Sequence, residues 1–155
     1  MSSRLGLVLW IGFCTVGGAL VGVLTGGGDS AWYLGLRKAA FNPPSWVFAP
    51  VWTALYAAMG IAAWRIWRRG GWRLQGRPLT FFVSQLALNW AWSFLFFTLQ
   101  SPLLALADIA VLWVLIVATC RMFARVEAFA AWMLVPYLGW VTFATILNAA
   151  IVAMN

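Results

Sequence analysis

The chain has no histidine, three carboxylates and two cysteines in 155 residues, and each shortage excludes a chemistry. Without imidazole there is no ligand of the kind that holds haem iron or catalytic zinc, and no general base whose ordinary pKa lies near neutrality. Cys14 and Cys120 fall in different apolar segments without metal-ligand spacing, so free buried thiols and no metal site are expected. Charge of either sign is scarce: Asp, Glu, Lys and Arg together make 8% of the chain, against about 25% in soluble domains. No stretch outside the apolar segments is long enough for a soluble domain, so any chemistry belongs inside the apolar part or at its edges.

What fills the chain instead is hydrocarbon. Hydrophobic residues make 65% of it and the mean hydropathy is +0.92. Five apolar stretches stand out, at 5–25, 46–67, 79–99, 102–123 and 128–154. A helix of about 20 residues crosses ~30 Å of hydrocarbon, and these stretches are too long and too continuous for the alternating strands of a membrane barrel. The expected fold is all-α: an integral membrane protein forming a single domain over 1–155, a bundle of five transmembrane helices. Arg4 followed by an apolar run has the start of a signal peptide. The run continues through Val23, however, and Phe13 stands before Cys14 where lipoprotein cleavage needs a small residue, so a retained span is expected.

The net charge of +7 does not point to nucleic acid, because the cations flank spans. Arg4, Arg65, Arg68, Arg69, Arg73, Arg77, Arg121 and Arg125 fall on one side of a five-span topology; Arg37 and Lys38 fall on the other. The positive-inside rule then places the N-terminus in the cytoplasm and the C-terminus outside.

The connections differ in kind. Residues 26–45 form the longest: a glycine-rich break, a short helix expected within 31–40 carrying the interfacial anchors Trp32 and Tyr33, then Asn42-Pro43-Pro44. Long loops between tight elements are commonly functional, and this one reads as a lid. Ser45 is expected to cap the second span, Pro50 to bend it near its start, and Pro136 to do the same to the fifth. Gln100-Ser101-Pro102 is so short that the third and fourth spans must form a hairpin. No internal repeat and no central acidic residue paired to a cation is evident, which argues against an ion-coupled carrier.

Polar groups inside spans face the bundle interior, and their spacing orients each helix. Gln85, Asn89 and Trp92 share a face of the third span. Trp52, Tyr56, Met59 and Ala63 share one of the second, and Trp140, Ala144 and Leu147, with Asn148 nearby, one of the fifth. At ~1.5 Å per residue these groups converge at ~10–20 Å below the lid side. Asp108, in the second turn of the fourth span, belongs to the same level; Arg37 and Lys38 could lie over the opening. The pattern describes an outward-facing cavity with aromatic walls and few polar groups, suited to a large flat apolar ligand bearing carboxylates. Tryptophan also collects at membrane interfaces; but there are twelve, and Trp52, Trp92 and Trp140 lie well inside their spans.

The order Trp32-Tyr33, Phe41-Asn42-Pro43-Pro44-Ser45-Trp46-Val47-Phe48-Ala49-Pro50-Val51-Trp52-Thr53-Ala54-Leu55-Tyr56 and Met59-Gly60 resembles the tryptophan-rich sensory protein family, TspO/MBR, which includes the translocator protein or peripheral-type benzodiazepine receptor. The likeness continues in 85–93 and 134–148, so it spans essentially the whole chain. It implies a five-helix bundle, often a homodimer, that binds porphyrins such as protoporphyrin IX or haem-related tetrapyrroles, and synthetic isoquinoline carboxamides, below the first loop. Residue by residue it assigns ligand contacts to Tyr33, Trp52, Asn89, Trp92, Trp140 and Ala144. With the lid prolines Pro43 and Pro44, and with Tyr56, Gln85, Asp108 and Leu147 from the converging faces, these are the candidate ligand-binding residues. The family is also linked to light-dependent porphyrin breakdown, for which Trp52 and Trp140 are the redox counterparts. The animal members' cholesterol motif is missing, since 144–155 contains neither tyrosine nor a basic residue, which suits a bacterial origin and removes that route to sterol binding.

Three functions stay open. The first is a membrane receptor, sensor or translocator for porphyrins and hydrophobic drug-like molecules, with no obligatory cofactor and only the ligand, membrane lipid and a second copy as partners. The second is a porphyrin-degrading enzyme needing light and oxygen, whose catalysis would depend on the ligand's photochemistry because the chain has no nucleophile–base pair. The third is a structural or partner-binding membrane protein using Gly18-xxx-Gly22-xxx-Gly26 for close helix approach.

Overall fold

The computed structural model describes residues 3–155, and among them every regular element is helical. Helix α1 is Ser3–Thr25, the short α2 is Ala31–Gly35, and α3 is Phe48–Trp67. They are followed by α4 (Gly71–Ser93), α5 (Pro102–Val126) and α6 (Ala128–Met154). Five segments are long and apolar enough to cross a membrane, the first of them running from α1 through α2, Ser3–Gly35. Helix α1 packs on α3, α3 on α6, α6 on α5, α5 on α4, and α4 on α1, with α3 also touching α4 across the middle. The spans therefore close a ring whose order is not the chain order.

Four of the expected boundaries and bends come out differently. The third span begins at Gly71 rather than 79: Gly70 (φ 126°) and Gly71 (φ 61°) reverse the chain, and the helix starts at once. Pro78 lies inside it, and the backbone gives way at Gln75 (φ −112°, ψ 23°), within the turn that the proline ring would crowd. Pro50 is only the third residue of α3, where a helix leaves its N–H groups unpaired in any case, so α3 runs unbroken from Phe48 to Trp67. Ser45 makes no side-chain cap; it opens a 3₁₀ turn, Ser45–Val47, leading into α3. Helix α6 likewise continues through Pro136.

The hairpin between α4 and α5 is closed by a wide turn. Residues Phe94–Thr98 are π-helical, with Leu99 N–H bonded to Phe94 O at 2.8 Å and Ser101 N–H to Leu95 O at 3.1 Å. Gln100 takes a left-handed φ of 51°, after which the Ser101 hydroxyl caps α5 at the Leu104 N–H and Pro102 starts it. The lid helix is shorter than 31–40. Ser30 accepts from the Tyr33 N–H at 3.3 Å, α2 ends at Gly35, and the chain is extended from Leu36.

Between apolar helices in lipid, close packing replaces the hydrophobic effect as the source of association. Helix α1 meets α3 through glycine. A Cβ on Gly60 would stand 2.6 Å from Ile11 Cα and 2.8 Å from Trp10 O, both backbone atoms, and one on Gly6 would stand 2.6 Å from the Trp67 ring. The centre is filled by Met59, Ala63 and Ile66 of α3, Leu79, Phe82 and Leu86 of α4, and Leu112, Ile116 and Phe123 of α5, with the rings of Phe82 and Phe123 stacked at 5.9 Å.

At the end of the bundle opposite the lid, Glu127 between α5 and α6 accepts hydrogen bonds from Arg65 and Arg69 at the end of α3. Burial of this side chain opposes its charge, but the two guanidiniums outweigh burial and hold the carboxyl below its ordinary value of 4.5. A folded-state pKa lower than the unfolded one means that the pair stabilises fully above about 4.5 and ceases to do so as pH falls through the depressed value. Wild type is therefore expected to melt above Glu127→Gln at pH 7, and the two melting points to converge on acidification toward pH 3. A gap unchanged across that range would show that the pair contributes nothing.

Candidate functional site

Because the spans alternate in direction, the last turns of α1, α4 and α6 meet the first turns of α3 and α5 at the lid end. There they enclose a cavity of about 690 Å³, within the ~300–1,000 Å³ usual for small-molecule sites. Its wall is mostly apolar and aromatic. Helix α3 contributes Phe48, Trp52 and Tyr56, α4 contributes Asn89 and Trp92, and α6 contributes Trp140, Ala144 and Leu147; Tyr33 and Asn42 come from the lid connection.

Trp52 organises one side. Its ring stacks over Tyr56 at 5.4 Å and stands perpendicular to Trp140 at 6.5 Å and edge-on to Tyr137 at 6.3 Å; Phe48 meets Trp140 edge-on at 5.9 Å. On the other side Trp92 stacks on Phe96 at 4.8 Å, and Tyr33 of the lid packs edge-on against Phe96 and Phe97. Such aromatic pairs favour these offset and edge-to-face arrangements because each ring has a negative face and a positive rim.

The floor is polar and almost self-satisfied. The Tyr56 hydroxyl donates to Asn89 Oδ1 at 2.5 Å, Asn89 Nδ2 donates to the Tyr137 hydroxyl at 3.0 Å, and that hydroxyl donates to Gln85 Oε1 at 2.7 Å. Helices α3, α4 and α6 are thus joined by one chain of hydrogen bonds under the cavity. Nearer the lid, Trp92 Nε1 donates to Asn148 Oδ1 at 3.0 Å and Asn148 Nδ2 to Pro102 O at 2.8 Å, which fixes the Trp92 indole and ties α6 to the start of α5. The Trp140 indole N–H, by contrast, is buried without a hydrogen-bond partner.

The lid is held from three directions. Asn42 Nδ2 donates to the Tyr33 hydroxyl at 3.4 Å. Lys38 Nζ donates to Leu36 O at 3.1 Å and stands 4.7 Å above the Tyr33 ring. The Asn155 side chain exchanges two hydrogen bonds with the Arg37 backbone, accepting from its N–H at 3.0 Å and donating to its carbonyl at 2.9 Å.

Of the residues singled out in the sequence, Tyr33, Trp52, Tyr56, Asn89, Trp92, Trp140, Ala144 and Leu147 come together on the wall. Gln85 lies beneath it, reached through Tyr137. Pro43 and Pro44 are not on the wall, although Asn42 and Ser45 on either side of them are. Asp108 is not there either: Ile109 and Leu112 represent α5, while Asp108 is half-buried with Oδ2 unpartnered. Arg37 and Lys38 stand outside the lining. Sequence reasoning passed over the contribution of α1, where Thr15, Gly18, Ala19 and Gly22 recur at helical spacing, and over Tyr137, which shares a face with Trp140 and Ala144. Both patterns were available as small or polar residues at i, i+3, i+4 and i+7. Gly18 is filled against the Tyr56 ring of α3, and Gly22 and Gly26 have nothing near them, so of this glycine run only Gly18 takes part in a helix–helix contact within the subunit.

Among the described residues no group of histidine, cysteine, aspartate or glutamate could hold a metal. What the site offers is flat aromatic contact on several sides with a few fixed hydrogen-bonding groups beneath.

The profile of the TspO/MBR family matches residues 10–154. The tryptophan-rich protein TspO of Chlorobaculum tepidum is 43% identical over 151 residues, covering 96% of this chain and 95% of its own. The bovine (Bos taurus) translocator protein is 40% identical over 136 residues, covering 86% of this chain and 80% of its own. The tryptophan-rich sensory protein of Cereibacter sphaeroides is 40% identical over 124 residues, covering 80% and 77%.

Proposed function

From the premise that the chain belongs to the TspO/MBR family, we propose that it is a membrane sensor or translocator whose ligand is a porphyrin of the protoporphyrin IX type. The relatives named translocator protein and tryptophan-rich sensory protein support the first half of this reading. The observation that carries the second is the Trp52 corner, where an indole stacked on Tyr56 and set at 88° to Trp140 borders a cavity of about 690 Å³. A planar macrocycle can lie against one ring face and present its rim to the other. Lys38 and Arg37, near the lid, are the cations available to propionate groups. The proposal includes the topology with the lid and C-terminus outside, access for other flat hydrophobic molecules, and assembly as a homodimer.

Titrating protoporphyrin IX into the protein in lipid nanodiscs, in the dark, is expected to give saturable quenching of tryptophan fluorescence. Losing one well-placed aromatic contact costs about 0.5–1.5 kcal/mol beyond the area it buries, so with that area Trp52→Ala is expected to weaken binding about tenfold. Non-saturable quenching in the wild type, or wild-type affinity in both Trp52→Ala and Trp140→Ala, would remove the porphyrin site. The photochemical reading is separated by illumination in oxygen: bound porphyrin that bleaches no faster than free porphyrin leaves binding without degradation.

A further inference from the structure

We infer that the cavity is open to the hydrocarbon of the bilayer through a lateral slot between α1 and α3, and that its apolar ligands enter and leave through this slot rather than past the lid. The argument starts from one stripe of α3. Gly60, Tyr56, Thr53 and Ala49 lie at i, i−4, i−7 and i−11 and so face the same neighbour, α1. At Gly60 the two backbones are in contact, and at Tyr56 the ring fills the space left by Gly18. One and two turns further toward the lid, Thr53 and Ala49 on that stripe are exposed. The helices therefore splay apart from a tight crossing at Gly60.

The residues on either side of the splay belong to two surfaces at once. Thr53 and Ala49 line the cavity, and so do Ala19, Gly22 and Val23 of α1, yet all five are exposed, Val23 to 80%, more than a residue facing only an enclosed chamber would be. A side chain can be on both surfaces only where the wall is open. The opening begins at the end of α1 and reaches ~13 Å down to Val16, which is also exposed and also lines the cavity. That depth is inside an apolar span, so the medium outside it is acyl chain.

The outer part of α1 is also lightly restrained. Its buried residues are Gly6, Cys14 and Thr25, and the Thr25 hydroxyl bonds back to Val21 of the same helix. Beyond Thr25 the chain passes into Gly26 and Gly27, both at positive φ. Small residues at the slot and a glycine break above it leave few packed side chains to hold the end of α1 in place. The lid, by comparison, is pinned by Asn42, Lys38 and Asn155.

The ligand-exchange half of this inference rests on the porphyrin reading; the opening itself does not, so two measurements keep them apart. In the first, the protein is reconstituted in vesicles containing a phosphatidylcholine with a diazirine in its acyl chain, irradiated, and mapped by mass spectrometry. Label is expected on Leu147, which is 6% exposed and sits on the inner wall, and is expected to disappear in Gly22→Trp. The indole there meets no packed neighbour, because a Cβ on Gly22 has nothing within 4 Å, so it lies across the slot. Absence of label on the inner wall of the wild type overturns the opening, whether or not porphyrin binds. In the second, stopped-flow rates for protoporphyrin IX are compared in the wild type, Gly22→Trp and Leu34→Trp, the last placing bulk on the lid helix at an exposed position outside the cavity lining. Gly22→Trp is expected to slow both association and dissociation by about tenfold, as blocking a route does; Leu34→Trp is expected to leave both rates intact. Slowing in Leu34→Trp alone overturns the lateral route. Inner-wall labelling with no saturable porphyrin binding leaves the opening and removes the ligand.

Discussion

Gly60→Leu is expected to lower the stability of the bundle by about 3 kcal/mol or more, at the upper end of what overpacking costs. Overpacked cores usually recover by turning a side chain, but here even a Cβ would lie 2.6 Å from the Cα of Ile11 and 2.8 Å from the carbonyl of Trp10. Relief requires moving α1 as a body, and α1 has few other buried contacts to hold it. In lipid there is no hydrophobic force to drive it back, so loss of close packing is loss of association. Gly12→Leu is the control, because a Cβ there meets nothing within 4 Å. Thermal denaturation in one detergent is expected to show Gly60→Leu far below wild type and Gly12→Leu beside it. Equal melting of the two variants would mean that the α1–α3 crossing is not set by glycine.

Asn89→Leu is expected to give the next largest loss, about 1–3 kcal/mol, the cost of leaving buried polar groups unpaired, toward the lower end because intramembrane hydrogen bonds are individually modest. Leucine removes the acceptor of the Tyr56 hydroxyl and one donor to Tyr137, whose own proton still reaches Gln85. The sharper test is a reversal of sign. Tyr56→Phe is expected to destabilise the wild type, where the hydroxyl is bonded, and to restore stability to Asn89→Leu, where it is stranded. Destabilisation of similar size in both backgrounds would show that Tyr56 and Asn89 act independently.

The spans were legible because hydrocarbon imposes a length and composition that few other sequences satisfy. Proline positions were less so, since their effect depends on where a helix begins: Pro50 falls in a first turn and does nothing visible, while Pro78 falls two turns in and the backbone yields at Gln75. Helix faces could be read from Gln85, Asn89, Trp52 and Trp140 because polar or aromatic groups deep in a span have few places to go. Asp108 shows the limit, as spacing gives its face and depth but not the rotation of α5, which brings Ile109 and Leu112 to the wall instead. The role of α1 was harder to read for a different reason: the spacing of its small residues marks a face but not what lies opposite it. The same Gly-xxx-Gly spacing contains Gly18, filled by a tyrosine ring, and Gly22, facing open space.

The clasp between Asn155 and Arg37 joins positions 118 residues apart. During synthesis the first connection leaves the ribosome well before this partner, and α6 supplies one wall of the cavity. A chain of four spans can already rest the Tyr33 ring on Phe96 and Phe97, but it lacks both the clasp at Arg37 and the wall that carries Trp140, Ala144 and Leu147.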